Sequence, residues 1–190
     1  MLSRENGRMS PDKSVMSDTS FDHVNLNELM AKEISHGVSR TLSDVFGVKT
    51  EMGAYRLETE RSPLADISGF VELNNQEKHG GALIVTFPQS TIFAILGKFY
   101  RKQFTEYERS VKDGVGELTN MIFGLMKANL GKNGFAFKMA LPNVVIGSQT
   151  SDGRLTPPME VRKVVLTIPY ETEAGPFSVT LILYPIDSAA

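Results

Sequence analysis

The chain has 190 residues, of which 41% are hydrophobic, with a net charge of −2, no cysteine and three histidines, His23, His36 and His79. That length and composition suit one domain with a sizeable core. Lack of cysteine excludes disulfides, thiolate metal sites and cysteine nucleophiles, and the scattered Lys and Arg leave no electrostatic footprint for nucleic acid. The histidines form no HExxH-type pair and no apolar run approaches the roughly 18 residues needed to span a bilayer, so the reading is no bound metal and no membrane.

Residues 1–20 are rich in Ser, Asp, Asn, Arg and Lys and nearly free of large apolar side chains. They cannot bury enough to offset ordering entropy, so a disordered tail is expected over 1–22 and a single domain over 23–190. No signal-peptide pattern opens the chain, and the expected location is the cytoplasm. Asn25 followed by Glu28 has the form of a capping box, predicting a helix that starts there. Met30, Ile34, Val38, Leu42 and Val45 would keep one face apolar to about Phe46, with Gly47 as the stop.

Three strands are expected next, over 49–58, 66–73 and 82–87, with the polar stretch 74–81 as a hairpin loop. Pro88 suits the start of a short helix to about Tyr100. Thr105 with Glu108 forms a second capping-box pattern and opens a long helix that Gly131 and Gly134 close. Three further strands follow over 143–150, 161–171 and 177–186, the last two joined by a turn at 172–176. The order is helix, three strands, helices, three strands. It predicts an α+β fold of two pseudo-repeated halves, with about six mainly antiparallel strands and the long helices packed on one side.

The most informative window is 113–124, DGVGELTNMIFG. At about 100° per residue Val111, Val115, Leu118, Ile122, Leu125 and Met126 form an apolar stripe that must face a core. Asp113, Glu117, Asn120 and Gly124 form a second stripe nearly opposite. An ordinary exposed face favours Ala, Glu, Lys and Arg; this one carries an acid, an amide and three glycines, Gly114, Gly116 and Gly124. Each Gly in a helix costs about 0.8–1 kcal/mol relative to Ala. The expected return is clearance for a partner surface to approach Glu117 and Asn120.

The pattern D-x-x-x-E-x-x-N-x-x-x-G, matched by Asp113, Glu117, Asn120 and Gly124 on a long helix between two three-strand blocks, resembles the CheC/CheX/FliY family. These are phosphatases of the chemotaxis response regulator CheY. Members of the CheC type carry the motif twice. Here the first helix has Glu28 but Ala31 where the amide would stand, so one site is expected, as in CheX. The resemblance implies a homodimer, a phosphorylated CheY-like receiver domain as partner and substrate, and no cofactor bound by this chain, Mg²⁺ being held by the receiver. On that reading Asn120 orients the attacking water, Glu117 anchors the receiver's lysine, and Gly116 and Gly124 give the receiver's loops room. Asp113 either contacts the receiver or solvates the helix. The alternative is a non-catalytic module that binds receivers or serves in a flagellar switch.

Overall fold

The computed structural model describes residues 19–75, 79–138, 140–147 and 163–185. Its elements are α1 (Thr19–Asp44), β1 (Thr50–Met52), β2 (Arg56–Glu58), β3 (Ile67–Asn75), β4 (His79–Phe87), α2 (Gln89–Tyr100), α3 (Arg109–Lys132), β5 (Asn143–Ile146), β6 (Val164–Thr172) and β7 (Phe177–Pro185). The strands form one antiparallel sheet in the order β1-β6-β7-β4-β3-β5, with β2 also paired to β6. The fold is α+β, as expected from element order. No helix among the described residues is long and apolar enough to cross a membrane.

The sheet has seven strands rather than six, because the strand expected over 49–58 is split. The cause lies in its neighbour. Pro169 of β6 has no N–H to give, so the ladder breaks opposite it, where Gly53 N–H donates to the Pro169 carbonyl at 2.9 Å. The pairing resumes with Arg56 opposite Thr167. β3 and β4 extend further than expected, to Asn75 and from His79, which shortens the predicted 74–81 loop. Strand residues expected at 148–150, 161–162 and 186 lie outside the described residues, as does 1–18 of the expected tail.

Two helix starts differ from expectation. α1 begins at Thr19, so Asn25 is inside the helix and the four residues 19–22 of the expected tail are helical. α3 begins after Glu108, not Thr105, with no side-chain cap. The Glu108 carboxylate is instead drawn to Lys102, whose Nζ donates to its oxygens at 2.6 and 2.8 Å. The α1 stop is as expected: Gly47 takes the left-handed φ of 64° and Val48 N–H donates back to the Leu42 carbonyl at 2.9 Å, which satisfies carbonyls left open at the helix end.

α1 and α3 pack on one face of the sheet. Met30, Ile34, Val38 and Leu42 of α1 and Val111, Val115, Leu118, Ile122 and Met126 of α3 are buried against Val71, Leu83, Val85, Leu166, Val179 and Leu181. Val45, expected to continue the α1 stripe, is 37% exposed because the helix has already ended. Alternate strand residues point to the other face, where Phe70, Ala82, Ile84, Val165 and Ile182 form a smaller core with Leu64.

Two glycines set how closely α3 lies. A Cβ on Gly37 of α1 would stand 2.8 Å from the Ile122 carbonyl oxygen of α3. A Cβ on Gly69 of β3 would overlap Thr119 Oγ1 of α3, which itself donates to the Val115 carbonyl at 2.8 Å. Together they seat α3 in a groove between α1 and the sheet, with its remaining face turned outward.

Candidate active site

The site is the outward face of α3. Val111, Val115, Leu118, Ile122 and Met126 are fully buried. On the opposite side Asp113 and Glu117 are exposed, and Asn120 and Gly124 half-buried. One apolar stripe anchored on two sides therefore aims all four motif positions at solvent. Glu117 and Asn120 are three residues apart, which places their side chains as neighbours, about 5–6 Å between Cβ atoms.

Among the described residues neither the Glu117 carboxylate nor the Asn120 amide has a hydrogen bond or ion pair with its own chain. Asp113 differs: its Oδ2 lies 3.5 Å from Arg109 Nε, an exposed pair of little energetic weight. Asn120 thus keeps a carbonyl oxygen that can accept and an NH₂ that can donate, next to a carboxylate. The face is the outer surface of a helix, and cavities of about 520 and 220 Å³ lie elsewhere, beside Phe93, Arg101 and Phe104 and beside Met30, Phe137 and Leu181. The pair therefore stands on an outward helix surface and not in a cavity of its own chain.

The glycines divide into different roles. Of Gly114, Gly116 and Gly124, Gly124 alone has open space, with nothing within 4 Å of a Cβ built on it. Gly114 is buried, and a Cβ there would meet Leu96 Cδ2 at 2.9 Å, so it serves the packing of α2 on α3. Gly116 is also buried, with Val144 Cγ2 at 3.6 Å and Pro142 Cγ at 3.9 Å from a Cβ position. The expected clearance for a partner at Gly114 and Gly116 is therefore corrected: Gly114 is filled by Leu96 of α2, and Gly116 is buried beside Pro142 and Val144 of the β5 segment. A helical wheel puts both on the flanks of the stripe but cannot say what stands beside them.

The first helix offers no second pair. Glu28 is exposed, but Ala31 is 3% exposed and faces the interior. His36, further along α1, shares a 2.8 Å hydrogen bond between its Nδ1 and Asn129 Nδ2. This amide–imidazole bond is a contact between α1 and α3. Asp152-Gly153, a pair whose sequence predicts a turn, lies outside the described residues. Gly37, Gly69 and Thr119, which position α3, do not stand out as candidates from sequence pattern alone. Their available signal was a glycine inside an amphipathic helix and another inside an apolar strand.

The fold and this face define an α+β domain with one acid–amide helix surface, and comparison with known proteins agrees. The family model described as chemotaxis phosphatase CheX matches residues 67–169, more than half of the chain. The chain belongs to the CheX family. It is similar to a chemotaxis protein CheX from Desulfovibrio desulfuricans, with 27% identity over 81% of this chain and 98% of that one and a TM-score of 0.69. It shares its fold with CheX from Borrelia burgdorferi, solved in a complex of CheX, CheY, BeF3 and Mg²⁺, at 18% identity, 82% and 97% coverage and a TM-score of 0.61. It also shares its fold with FliY from Thermotoga maritima, at 17% identity, 91% and 93% coverage and a TM-score of 0.61. Among curated proteins none matches the sequence.

Proposed function

We propose that this chain hydrolyses the aspartyl phosphate of a CheY-like receiver domain. The observation that carries the reading is the free Glu117 carboxylate and free Asn120 amide, neighbours on a solvent-facing helix surface. Membership of the chemotaxis phosphatase family supports it, and so does the CheX–CheY complex of the Borrelia relative.

The chemistry asks little more of this chain. A receiver holds the acyl phosphate and brings its own Mg²⁺ and lysine, which offset charge on the phosphoryl oxygens. Phosphoryl transfer then depends on positioning. The Asn120 carbonyl oxygen accepts a hydrogen bond from a water in line with the scissile P–O bond, and its NH₂ donates to a phosphoryl oxygen. The water oxygen bonds to phosphorus as the bond to the aspartyl oxygen breaks. The products are the receiver's aspartate and inorganic phosphate, which carries the water's remaining hydrogen, the other proton passing to solvent. Glu117 pairs with the receiver's lysine and sets the docking register, a charged contact that gains strength as docking excludes water. Asp113 stands one turn further out, at the edge of this contact. We further infer a homodimer, with one such face per chain, acting in the cytoplasm where receivers are found.

The test is the decay of a phosphorylated receiver at a large excess over this protein. An enzyme clears many receivers per chain; a stoichiometric binder leaves the decay rate of the excess unchanged, and that result would sink the proposal. Gly124→Ala gives a sharper prediction. With open space for the new methyl, the helix should gain up to about 1 kcal/mol, seen as a higher melting midpoint. If a receiver comes close at Gly124, the same variant should show a several-fold higher KM. Unchanged kinetics would remove Gly124 from the docking face.

A further inference from the structure

Leu141 is 85% exposed, the highest value for any large apolar side chain among the described residues. Single exposed leucines are ordinary, but this one lies in the segment that leads into β5, beside the acid–amide face. On one side Lys138 N–H donates to the Asn74 carbonyl at 2.9 Å. On the other, Asn143 opens β5 opposite Phe70, and its Nδ2 donates to the Leu141 carbonyl at 3.4 Å. Between them Pro142, with φ fixed by its ring, lies against Gly116 of α3.

That contact settles which flank Leu141 borders. Gly116 and Asn120 are four residues apart, about 40° around the helix and about 6 Å along its axis. Glu117 lies on the far side of Asn120. Pro142, the residue after Leu141, thus stands on the Asn120 flank of α3 and not on the Glu117 flank. A partner that brings a phosphoryl group to Asn120 covers about 800 Å² of this surface if the contact is of standard size, a patch that extends past the motif helix to the segment beside Gly116.

We infer that Leu141 is a docking residue for the receiver, packing against apolar surface that borders its phosphorylated pocket. This rests on the proposed phosphatase reading and adds a contact outside the motif helix. The side chain touches no reacting atom, so its contribution is equal in the bound and transition states and falls on KM rather than kcat.

The test compares wild type, Leu141→Ala, Leu141→Asp and Asn120→Ala in steady-state hydrolysis of a phosphorylated CheY-like receiver, with each protein's mass measured by sedimentation. Loss of a well-buried leucine contact should raise KM about tenfold in Leu141→Ala, more in Leu141→Asp, with kcat within about twofold of wild type. Asn120→Ala should lower kcat. An unchanged KM in both Leu141 variants overturns the inference while leaving the phosphatase reading standing. If Leu141→Asp instead halves the mass of a dimer, the occupant of this surface is a second copy, and the inference is likewise overturned. A wild-type protein that accelerates no receiver's decay removes both readings together.

Discussion

Asn120→Ala is expected to remove nearly all acceleration of receiver dephosphorylation and leave the fold intact. The side chain is half-buried and has no partner within the described molecule. Truncating it therefore breaks no internal hydrogen bond or ion pair, and alanine is the better helix former by several tenths of a kcal/mol. Circular dichroism and the melting midpoint should match the parent or exceed it. Activity should fall by about 10²-fold or more, the scale on which a mispositioned reactant slows an enzyme. Asn120→Asp makes a finer test, since it keeps size and one acceptor but cannot donate and places negative charge beside the phosphoryl group. It should be as inactive as the alanine variant. The measurement is single-turnover decay of a phosphorylated receiver at saturating protein, which isolates the chemical step from docking. Decay as fast as the parent's in either variant would mean that another group holds the water.

The second large effect concerns stability. Gly69→Ala should destabilise the domain by about 1–3 kcal/mol, the usual cost of forcing volume into a packed core. The new methyl would overlap Thr119 Oγ1 and lie 3.0 Å from Thr119 Cβ and 3.2 Å from Val115 Cγ1. Neither side has room to yield. Gly69 is held in register between Val85 of β4 and Val144 of β5, and the Thr119 hydroxyl is tied to its own helix at Val115. In a chain of this size each kcal/mol is worth about 2–4 °C of melting midpoint. Thr119→Ala in the same chain should restore part of the loss, because the overlapping oxygen goes while the Cβ contact stays. If Gly69→Ala melts with the parent, α3 is not seated on β3 as closely as described.

The acid–amide pair could be read from sequence because it depends on only two things, the helical period and the position of one apolar stripe. Val111 through Met126 set which side is inward, and Asp113, Glu117, Asn120 and Gly124 follow by angle alone. Gly114 and Gly116 could not be read in that way. Their flanks meet Leu96 and Pro142, from segments before and after α3, and a single helix's periodicity carries no information about those neighbours. The strands show the same division. Alternation in 177–185 was plain, but the non-alternating apolar residues Val165, Leu166 and Ile168 of β6 reflect a sheet with a core on both faces. One-sided packing of the helices did not foretell the second core of Phe70, Ile84 and Val165. Capping patterns failed twice for a common reason. A Thr or Asn three residues before Glu is a local signal, whereas Glu108 was engaged by Lys102 across a turn and α1 ran on upstream of Asn25.

The break imposed by Pro169 has a consequence for how the molecule behaves in a crowded solution. It divides the outer border of the sheet into β1 and β2, each three residues long, although Met52 and Leu57 there are 41% and 57% exposed. A long, flat, greasy border invites a stranger's backbone to add on and keep growing. Two short steps interrupted at a proline offer no continuous template, so the protein should tolerate high concentration without fibrillar accretion along that margin.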